Sequence, residues 1–201
     1  MNTGRLVVFE GIDGAGKSTQ LQRLAVALRA AGHRVIETHE PTDGRFGQRI
    51  RALARSGTRV APDEELHWFV EDRREHVAAV IQPGLTSGAI VLSDRYFLST
   101  VAYQGARGLD ATRLLAEAEA EFPLPDLALL LEVDPTRGLE RVAARGGIAE
   151  PAFENPRGLI DVAAVFRSID RPYLVRIDGD REPDAVASQI RAVVRERLAL
   201  P

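Results

Sequence analysis

The chain has 201 residues, a length typical of one domain with a sizeable hydrophobic core. Its net charge of −3 gives no electrostatic reason to expect nucleic acid or an anionic membrane as a partner, and no apolar run reaches the roughly 18 residues that span a bilayer. The absence of cysteine excludes disulfides, thiolate catalysis and zinc–sulfur sites, and the N-terminus has no signal-peptide layout, so we expect a soluble cytoplasmic protein.

Strand and helix patterns alternate along the chain. Short apolar segments predict strands at Leu6–Glu10, Arg34–Thr38, Ala89–Ser93, Leu127–Val133 and Tyr173–Asp178. Helical periodicity between them predicts helices at Ser18–Ala31, Gly47–Arg55, 62 to about 82, Asp110–Glu121, Pro135–Ala144 and Pro183–Leu198. Strands that are apolar on both faces are typical of a parallel sheet covered by helices. We therefore predict one α/β domain over residues 1–201, with a five-stranded parallel sheet between two helical layers and a mobile loop over 146–158.

The first predicted strand runs into a complete P-loop motif: Gly11, Ile12, Asp13, Gly14, Ala15, Gly16, Lys17 and Ser18. The motif stands between a strand and a helix, which is the context that gives it meaning, and it predicts a P-loop NTPase fold. Its glycines let backbone N–H groups surround the phosphates of ATP at a helix N-terminus. We expect Lys17 to bridge the β- and γ-phosphates and Ser18 to hold Mg²⁺.

Composition supports the role of Lys17. Of the 26 basic residues, 25 are arginine and Lys17 is the single lysine. A compact ammonium fits between two phosphates in a way that a planar guanidinium cannot reproduce. The position of the single lysine in the P-loop motif therefore supports a role in phosphate binding.

A second metal ligand is predicted at Asp94, which follows the third predicted strand. A carboxylate at the carboxyl end of a strand next to the P-loop is well placed to hold Mg²⁺ through water. A helix N-cap or a surface position is the alternative role. The fold and the triphosphate site do not by themselves name the phosphate acceptor.

Several further motifs together give a family resemblance. They are Phe9-Glu10-Gly11-Ile12-Asp13-Gly14, Glu40-Pro41, Asp72-Arg73, Asp94-Arg95-Tyr96, Ser99-Thr100-Val101-Ala102-Tyr103-Gln104-Gly105, Pro125-Asp126 and Val133-Asp134-Pro135. With these motifs the chain resembles the bacterial thymidylate kinases, which transfer phosphate from ATP to dTMP. The resemblance covers residues 5–145 and a short stretch near Tyr173–Gly179. It implies ATP and dTMP as ligands, Mg²⁺ as cofactor, and a homodimer.

For the thymine base, the resemblance implies contacts from the long third helix and from the Ser99–Gly105 motif. Phe69 and Arg73 lie four residues apart and hence on one helix face. The resemblance places the Phe69 ring on thymine and the Arg73 guanidinium on a base oxygen, with Thr100 and Gln104 at the base edge. Core packing of Phe69 and a surface ion pair of Arg73 are the alternatives.

For the sugar and phosphate of dTMP, the resemblance implies four further residues. Arg51 and Arg95 would grip the acceptor phosphate, where a planar fork suits the dianion. Asp13 would accept a hydrogen bond from the sugar 3′-hydroxyl side. Tyr103 would fill the space of a ribose 2′-hydroxyl and so exclude ribonucleotides. A solvated helix face is the alternative for Arg51.

The sequence departs from its relatives mainly in the lid, predicted at about 141–158. With Gly14 in the P-loop, no arginine there can reach the transferring phosphoryl group, so the cation is expected from the lid. Arg145 is the first candidate for this cation and Arg141 the second. The predicted catalytic residues are therefore Lys17, Arg95, Arg145 and Arg141. The usual Asp-Arg beyond Arg145 is missing.

Two alternatives stay open at this point, and a third, a GTPase switch, is excluded. Another nucleotide or deoxynucleoside kinase would share the fold and differ in the acceptor. A nucleotide-binding protein with impaired lid chemistry would bind without transfer. A GTPase switch would need an Asn-Lys-x-Asp guanine reader, which a chain with one lysine, Lys17, cannot contain.

Overall fold

The computed structural model describes residues 4–144 and 156–200, and within them one parallel sheet forms the centre of the molecule. Its strand order is β2-β3-β1-β4-β5. The strands are β1 (Arg5–Glu10), β2 (Val35–His39), β3 (Ile90–Asp94), β4 (Leu127–Glu132) and β5 (Leu174–Asp178). Strands β1, β3 and β4 are buried along nearly their whole length, which explains their continuous apolar runs. The predicted five-stranded α/β fold is confirmed.

Helices surround the sheet. They are α1 (Lys17–Ala30), α2 (Arg45–Ser56), α3 (Pro62–His76), α4 (Gln82–Thr86), α5 (Phe97–Gly105), α6 (Ala111–Glu121), α7 (Pro135–Ala144), α8 (Pro156–Ser168) and α9 (Pro183–Leu198). A π-helical turn at Val77–Ile81 joins α3 to α4, so the long helix predicted up to about residue 82 is one continuous helical stretch. Among the described helices, none has both the length and the apolar character needed to cross a membrane.

Two helices were missed by the sequence prediction. Helix α5 is buried on all sides from Phe97 to Gln104, so it has no polar face and no helical period to detect. Helix α8 does carry a helical signal, because its buried residues Leu159, Val162 and Phe166 recur at a spacing of three and four. It begins inside the predicted 146–158 loop; residues 146–155 of that loop lie outside the described part of the chain.

Strand register brings the chemistry to one edge of the sheet. Phe9 on β1 and His39 on β2 both pair with Asp94 at the end of β3, so the carboxyl ends of three neighbouring strands meet. The chain leaves β1 there and enters the P-loop, which leads into α1. A crevice at the carboxyl ends of parallel strands is the usual place of a ligand in such sheets.

Helix α7 approaches the P-loop so closely that only glycine fits there. Gly14 has φ +78°, and a Cβ on it would lie 2.1 Å from the carbonyl oxygen of Gly138 on α7. A side chain at position 14 would therefore need both a strained backbone and a displaced helix. This is the structural reason why the P-loop carries no arginine at that position.

Candidate active site

The P-loop carries its lysine and serine in contact with neighbouring oxygen atoms. Lys17 is 6% exposed, and its Nζ donates to the carbonyl oxygen of Ile12 at 2.9 Å. Burial, reinforced by the positive charge of Arg95, lowers the pKa of Lys17 to about 8. The Ser18 hydroxyl donates to a carboxylate oxygen of Asp94. The serine and the aspartate predicted to share Mg²⁺ thus lie in direct contact.

A cavity of about 430 Å³ opens beside the P-loop. Its wall includes nine of the residues predicted for ATP, dTMP or metal binding: Asp13, Lys17, Ser18, Arg51, Phe69, Asp94, Arg95, Thr100 and Tyr103. They come from the P-loop, α2, α3, the end of β3 and α5. The fold therefore brings the phosphate-binding loop and most of the predicted acceptor residues together around one space.

Arg95, Asp13 and Tyr103 form one charged cluster in the cavity wall. Arg95 donates through Nη2 to Asp13, and the Tyr103 hydroxyl donates to the other Asp13 oxygen at 2.8 Å. Burial by itself would raise the pKa of Asp13, but the charges of Arg95 and Lys17 outweigh burial and lower it to about 2. Burial and the Asp13 charge both raise the pKa of Tyr103 above its usual value. Asp13 is therefore a stable carboxylate acceptor at neutral pH.

The backbone of Arg95 is held in a conformation that few side-chain-bearing residues adopt. Its φ is +72°, and its N–H donates to the carbonyl oxygen of Phe9 at 2.9 Å. Its Nη1 donates to the Ser99 hydroxyl at 2.9 Å and to the Gly11 carbonyl at 3.1 Å. A residue other than glycine keeps a left-handed backbone conformation only where contacts with its surroundings hold it there. Such residues are common at functional sites.

Glu10 supports this arrangement from below and was not predicted as a site residue. It is fully buried, and its carboxylate accepts from the N–H of Tyr96 at 3.0 Å and from the Ser99 hydroxyl. Burial raises its pKa to about 7, although Ser99 and the positive charge of Arg95 act in the opposite direction. The sequence feature that could have indicated Glu10 is its position, as a charged residue at the end of a buried apolar strand.

Arg51 reaches the cavity from α2 and is anchored beside it. Its Nη1 donates to the carbonyl oxygen of Pro41 at 2.8 Å, and its Nη2 donates to Asp43 at 2.9 Å. His39 lines the same wall, and its Nδ1 lies 2.9 Å from the same Pro41 oxygen. Since a carbonyl oxygen only accepts, the proton of that contact belongs to His39 Nδ1.

Two residues predicted for the base edge lie behind the cavity wall. Arg73 is 2% exposed, and its Nε and Nη2 donate to Glu40 at 2.9 and 2.6 Å. Gln104 is fully buried and its Nε2 donates to Glu65 at 2.8 Å. Phe69 and Thr100 do face the cavity, so the helix face shared by Phe69 and Arg73 does not place both side chains in one space.

The lid prediction is only partly covered by the described residues. Arg141 Nη1 donates to the Gly179 carbonyl at 3.0 Å and to the Gly14 carbonyl at 3.5 Å, so it ties α7 to the P-loop and to the loop after β5. It does not line the cavity. Arg145 lies outside the described residues.

These features first define a class: the fold and the site are those of a P-loop kinase with an acceptor cavity beside its triphosphate loop. The sequence matches the thymidylate kinase family over residues 9–190. It is 43% identical over 199 residues to a thymidylate kinase of Desulfotalea psychrophila, covering 99% of this chain and 98% of the relative. It is also 43% identical to the thymidylate kinase of Akkermansia muciniphila (97% of this chain, 93% of the relative) and 45% identical to that of Xanthomonas campestris pv. campestris (98% and 85%). The chain belongs to the thymidylate kinase family.

Proposed function

We propose that the cavity beside the P-loop holds dTMP next to a bound ATP, and that the two phosphates meet at Lys17 and Arg95. The chain is a kinase of the thymidylate kinase family, which transfers the γ-phosphate of ATP to dTMP and gives dTDP for dTTP synthesis. The observation that carries the proposal is that Lys17 and Ser18 share one cavity with Arg51, Arg95 and Phe69.

On the donor side, the P-loop would bind the phosphates of ATP through its backbone N–H groups and through Lys17. The lysine would exchange its contact with the Ile12 carbonyl for the β- and γ-phosphates, whose negative charge favours the ammonium form. Little covalent chemistry is required of the protein in phosphoryl transfer. It positions the two reacting groups and neutralises charge.

On the acceptor side, Arg51 and Arg95 would bind the phosphate of dTMP, since both residues line the cavity and carry a guanidinium group. Phe69 offers a half-buried ring for stacking against the base. Tyr103, locked by its hydrogen bond to Asp13, would occupy the space of a ribose 2′-hydroxyl. The carboxylate oxygens of Asp13 would also accept a hydrogen bond from a sugar hydroxyl.

The Ser18–Asp94 pair fits Mg²⁺. Hard oxygen donors are what Mg²⁺ prefers, and it is commonly held by one or two protein groups, substrate phosphates and water. A cluster of three or more acidic or histidine side chains, which the described residues do not contain, is not needed for that arrangement. Ser18 and Asp94 would hold the ion, which supplies charge neutralisation at the phosphates when bound.

The cation that stabilises the transferring phosphoryl group is proposed to come from the lid, with Arg145 as first candidate. The closure of Gly14 by α7 supports a source outside the P-loop. Arg141 would act only after leaving the carbonyl groups of Gly179 and Gly14. We also propose a cytoplasmic homodimer, as the family resemblance implies; sedimentation of the purified protein tests the dimer.

A coupled assay of ADP release with dTMP, dUMP, UMP, dCMP and AMP as acceptors tests the proposed function. We expect dTMP to give the highest kcat/KM and Lys17→Ala to give no acceptor-dependent ADP. A higher kcat/KM for a cytosine or purine nucleotide would reject dTMP as the substrate. ADP release that is independent of every acceptor would reject transfer altogether.

A further inference from the structure

A line of hydrogen-bonded polar side chains runs behind the acceptor cavity, from β2 across α3 to α5. It consists of Thr38, Glu40, Arg73, His76 and Thr100, of which the last four are 6% exposed or less. The histidine belongs to none of the motifs that predicted the site. Only Glu40 and Thr100 of this line reach the cavity wall.

The donors and acceptors of the line can be assigned from one end. His76 Nδ1 lies 3.0 Å from Glu40 Oε1, and a carboxylate only accepts, so Nδ1 carries the proton. Burial would raise the pKa of Glu40, but the charge of Arg73 and the hydrogen bond from His76 outweigh burial and keep that pKa below its usual value, so the carboxylate is ionised.

The charges of Glu40 and Arg73 cancel, so a neutral imidazole leaves the buried cluster uncharged. His76 Nε2 is then an acceptor, and the Thr38 hydroxyl, 2.6 Å away, donates to it. Each ring nitrogen of His76 therefore has one partner of the right kind. The ring fixes one oxygen of Glu40 and leaves the other oxygen for the guanidinium.

At the other end, the line determines how Thr100 can meet a ligand. Arg73 Nη2 lies 2.9 Å from Thr100 Oγ1, and a guanidinium only donates, so the threonine oxygen accepts this bond. Its hydroxyl hydrogen is then directed elsewhere, and the residue lines the cavity. An acceptor atom on a ligand, such as a carbonyl oxygen of a base, is the partner that suits it.

We propose that His76 is a positioning residue for base recognition, which acts through Glu40 and Arg73 to present the Thr100 hydroxyl as a donor to a base carbonyl. This inference rests on the proposed function of the cavity. Thymine carries a carbonyl where cytosine carries an amino group. A hydroxyl held as a donor faces an acceptor in the first base and another donor in the second, so it selects against cytosine.

The test uses steady-state kinetics of His76→Leu, which removes both ring hydrogen bonds at similar volume. We expect KM for dTMP to rise about 10-fold, the effect of losing one hydrogen bond to a charged group. KM for ATP and kcat should change less than about twofold, and the ratio of kcat/KM for dTMP over dCMP should fall by about 10-fold, because a released Thr100 can accept from an amino group.

Two further variants separate positioning from packing. His76→Asn keeps an N–H donor for Glu40 and should restore most of the dTMP selectivity. His67→Leu makes the same substitution on the same helix at a side chain that is 61% exposed, and it should leave all constants unchanged. An equal rise of KM for both substrates in His76→Leu, or unchanged selectivity against dCMP, would overturn the inference.

Thr38→Val carries the test if His76→Leu fails to fold, because it removes only the hydroxyl that bonds Nε2. A rise of KM for dTMP of about threefold or more, together with weaker discrimination against dCMP, supports the inference, and unchanged values overturn it. Wild-type protein that does not phosphorylate dTMP would instead reject the proposed function. Wild-type activity with insensitive variants would reject only the role of His76.

Discussion

The substitution Glu10→Gln is expected to remove a large pH dependence from the stability of the fold. Glu10 is fully buried under the start of α5, where burial raises the pKa of its carboxyl group to about 7 from an ordinary value of 4.5. Glutamine has the same shape, stays neutral at every pH, and can still accept from the Tyr96 N–H. The variant therefore imitates the protonated carboxyl.

The direction follows from proton binding in the two states. Between about pH 4.5 and 7 the folded carboxyl keeps its proton while the unfolded one has lost it, so stability falls as pH rises through this window. The gap between 4.5 and about 7, at about 1.4 kcal/mol for each tenfold difference in proton affinity, corresponds to about 3 kcal/mol. Between pH 5 and pH 8 about 2 to 3 kcal/mol of this is lost.

Urea unfolding at pH 5, 6, 7 and 8 measures the effect, and the single tryptophan, Trp68, is buried and serves as the fluorescent probe. From pH 5 to pH 8 the wild type should lose about 2 to 3 kcal/mol more unfolding free energy than Glu10→Gln. Glu117→Gln, the same change at a side chain that is 60% exposed, should keep the wild-type slope. Parallel curves for the wild type and Glu10→Gln would refute the reasoning about burial.

Four further predictions concern the reaction. Lys17→Ala should abolish transfer and Lys17→Arg should lose most of kcat although it keeps the charge; near-normal kcat for the arginine variant would contradict the geometric argument. Phe69→Ala should raise KM for dTMP several-fold and leave KM for ATP unchanged, since stacking contributes roughly 1–3 kcal/mol per base, and equal effects on both substrates would indicate a packing defect. A smaller residue at Tyr103 should raise the ratio of kcat/KM for ribothymidylate over dTMP, and an unchanged ratio in folded protein would remove Tyr103 from sugar selection. Arg145→Ala should lower kcat at least about 100-fold with dTMP affinity retained, and more than about a tenth of the wild-type rate would move the role elsewhere.

The P-loop and the sheet could be predicted because their signals are local. Glycine spacing defines the loop from Gly11 to Ser18, and apolar runs of four or five residues define β1, β3 and β4. Asp94 was found in the same way, from its position at the end of a strand. Parallel packing then placed these pieces at one edge without further information.

The supporting residues could not be predicted because their partners are distant in sequence. Helix periodicity placed Arg73 on the face of Phe69, but Glu40, 33 residues earlier, draws the guanidinium behind the cavity wall. Glu10 meets Ser99 across 89 residues. Periodicity within a helix or strand does not indicate pairs of residues that are so far apart in sequence. The direction of these side chains is set by their long-range hydrogen bonds.

Arg141 shows the same limit in the lid. The helix that carries Arg141, and the side of that helix on which Arg141 lies, were predictable from the Pro135–Ala144 pattern. Its contacts with the Gly14 and Gly179 carbonyls depend on how close α7 comes to the P-loop. That distance is set by backbone packing at Gly138, which no side-chain pattern reveals.

The central claim is that the protein moves the γ-phosphate of ATP onto dTMP, and a labelled transfer tests it most directly. Purified protein is mixed with dTMP and ATP carrying ¹⁸O in its γ-phosphate, and the products are identified by mass spectrometry. We predict dTDP that carries the label in its terminal phosphate, and none with Lys17→Ala. Label found only in inorganic phosphate, with dTMP unchanged, would contradict the account.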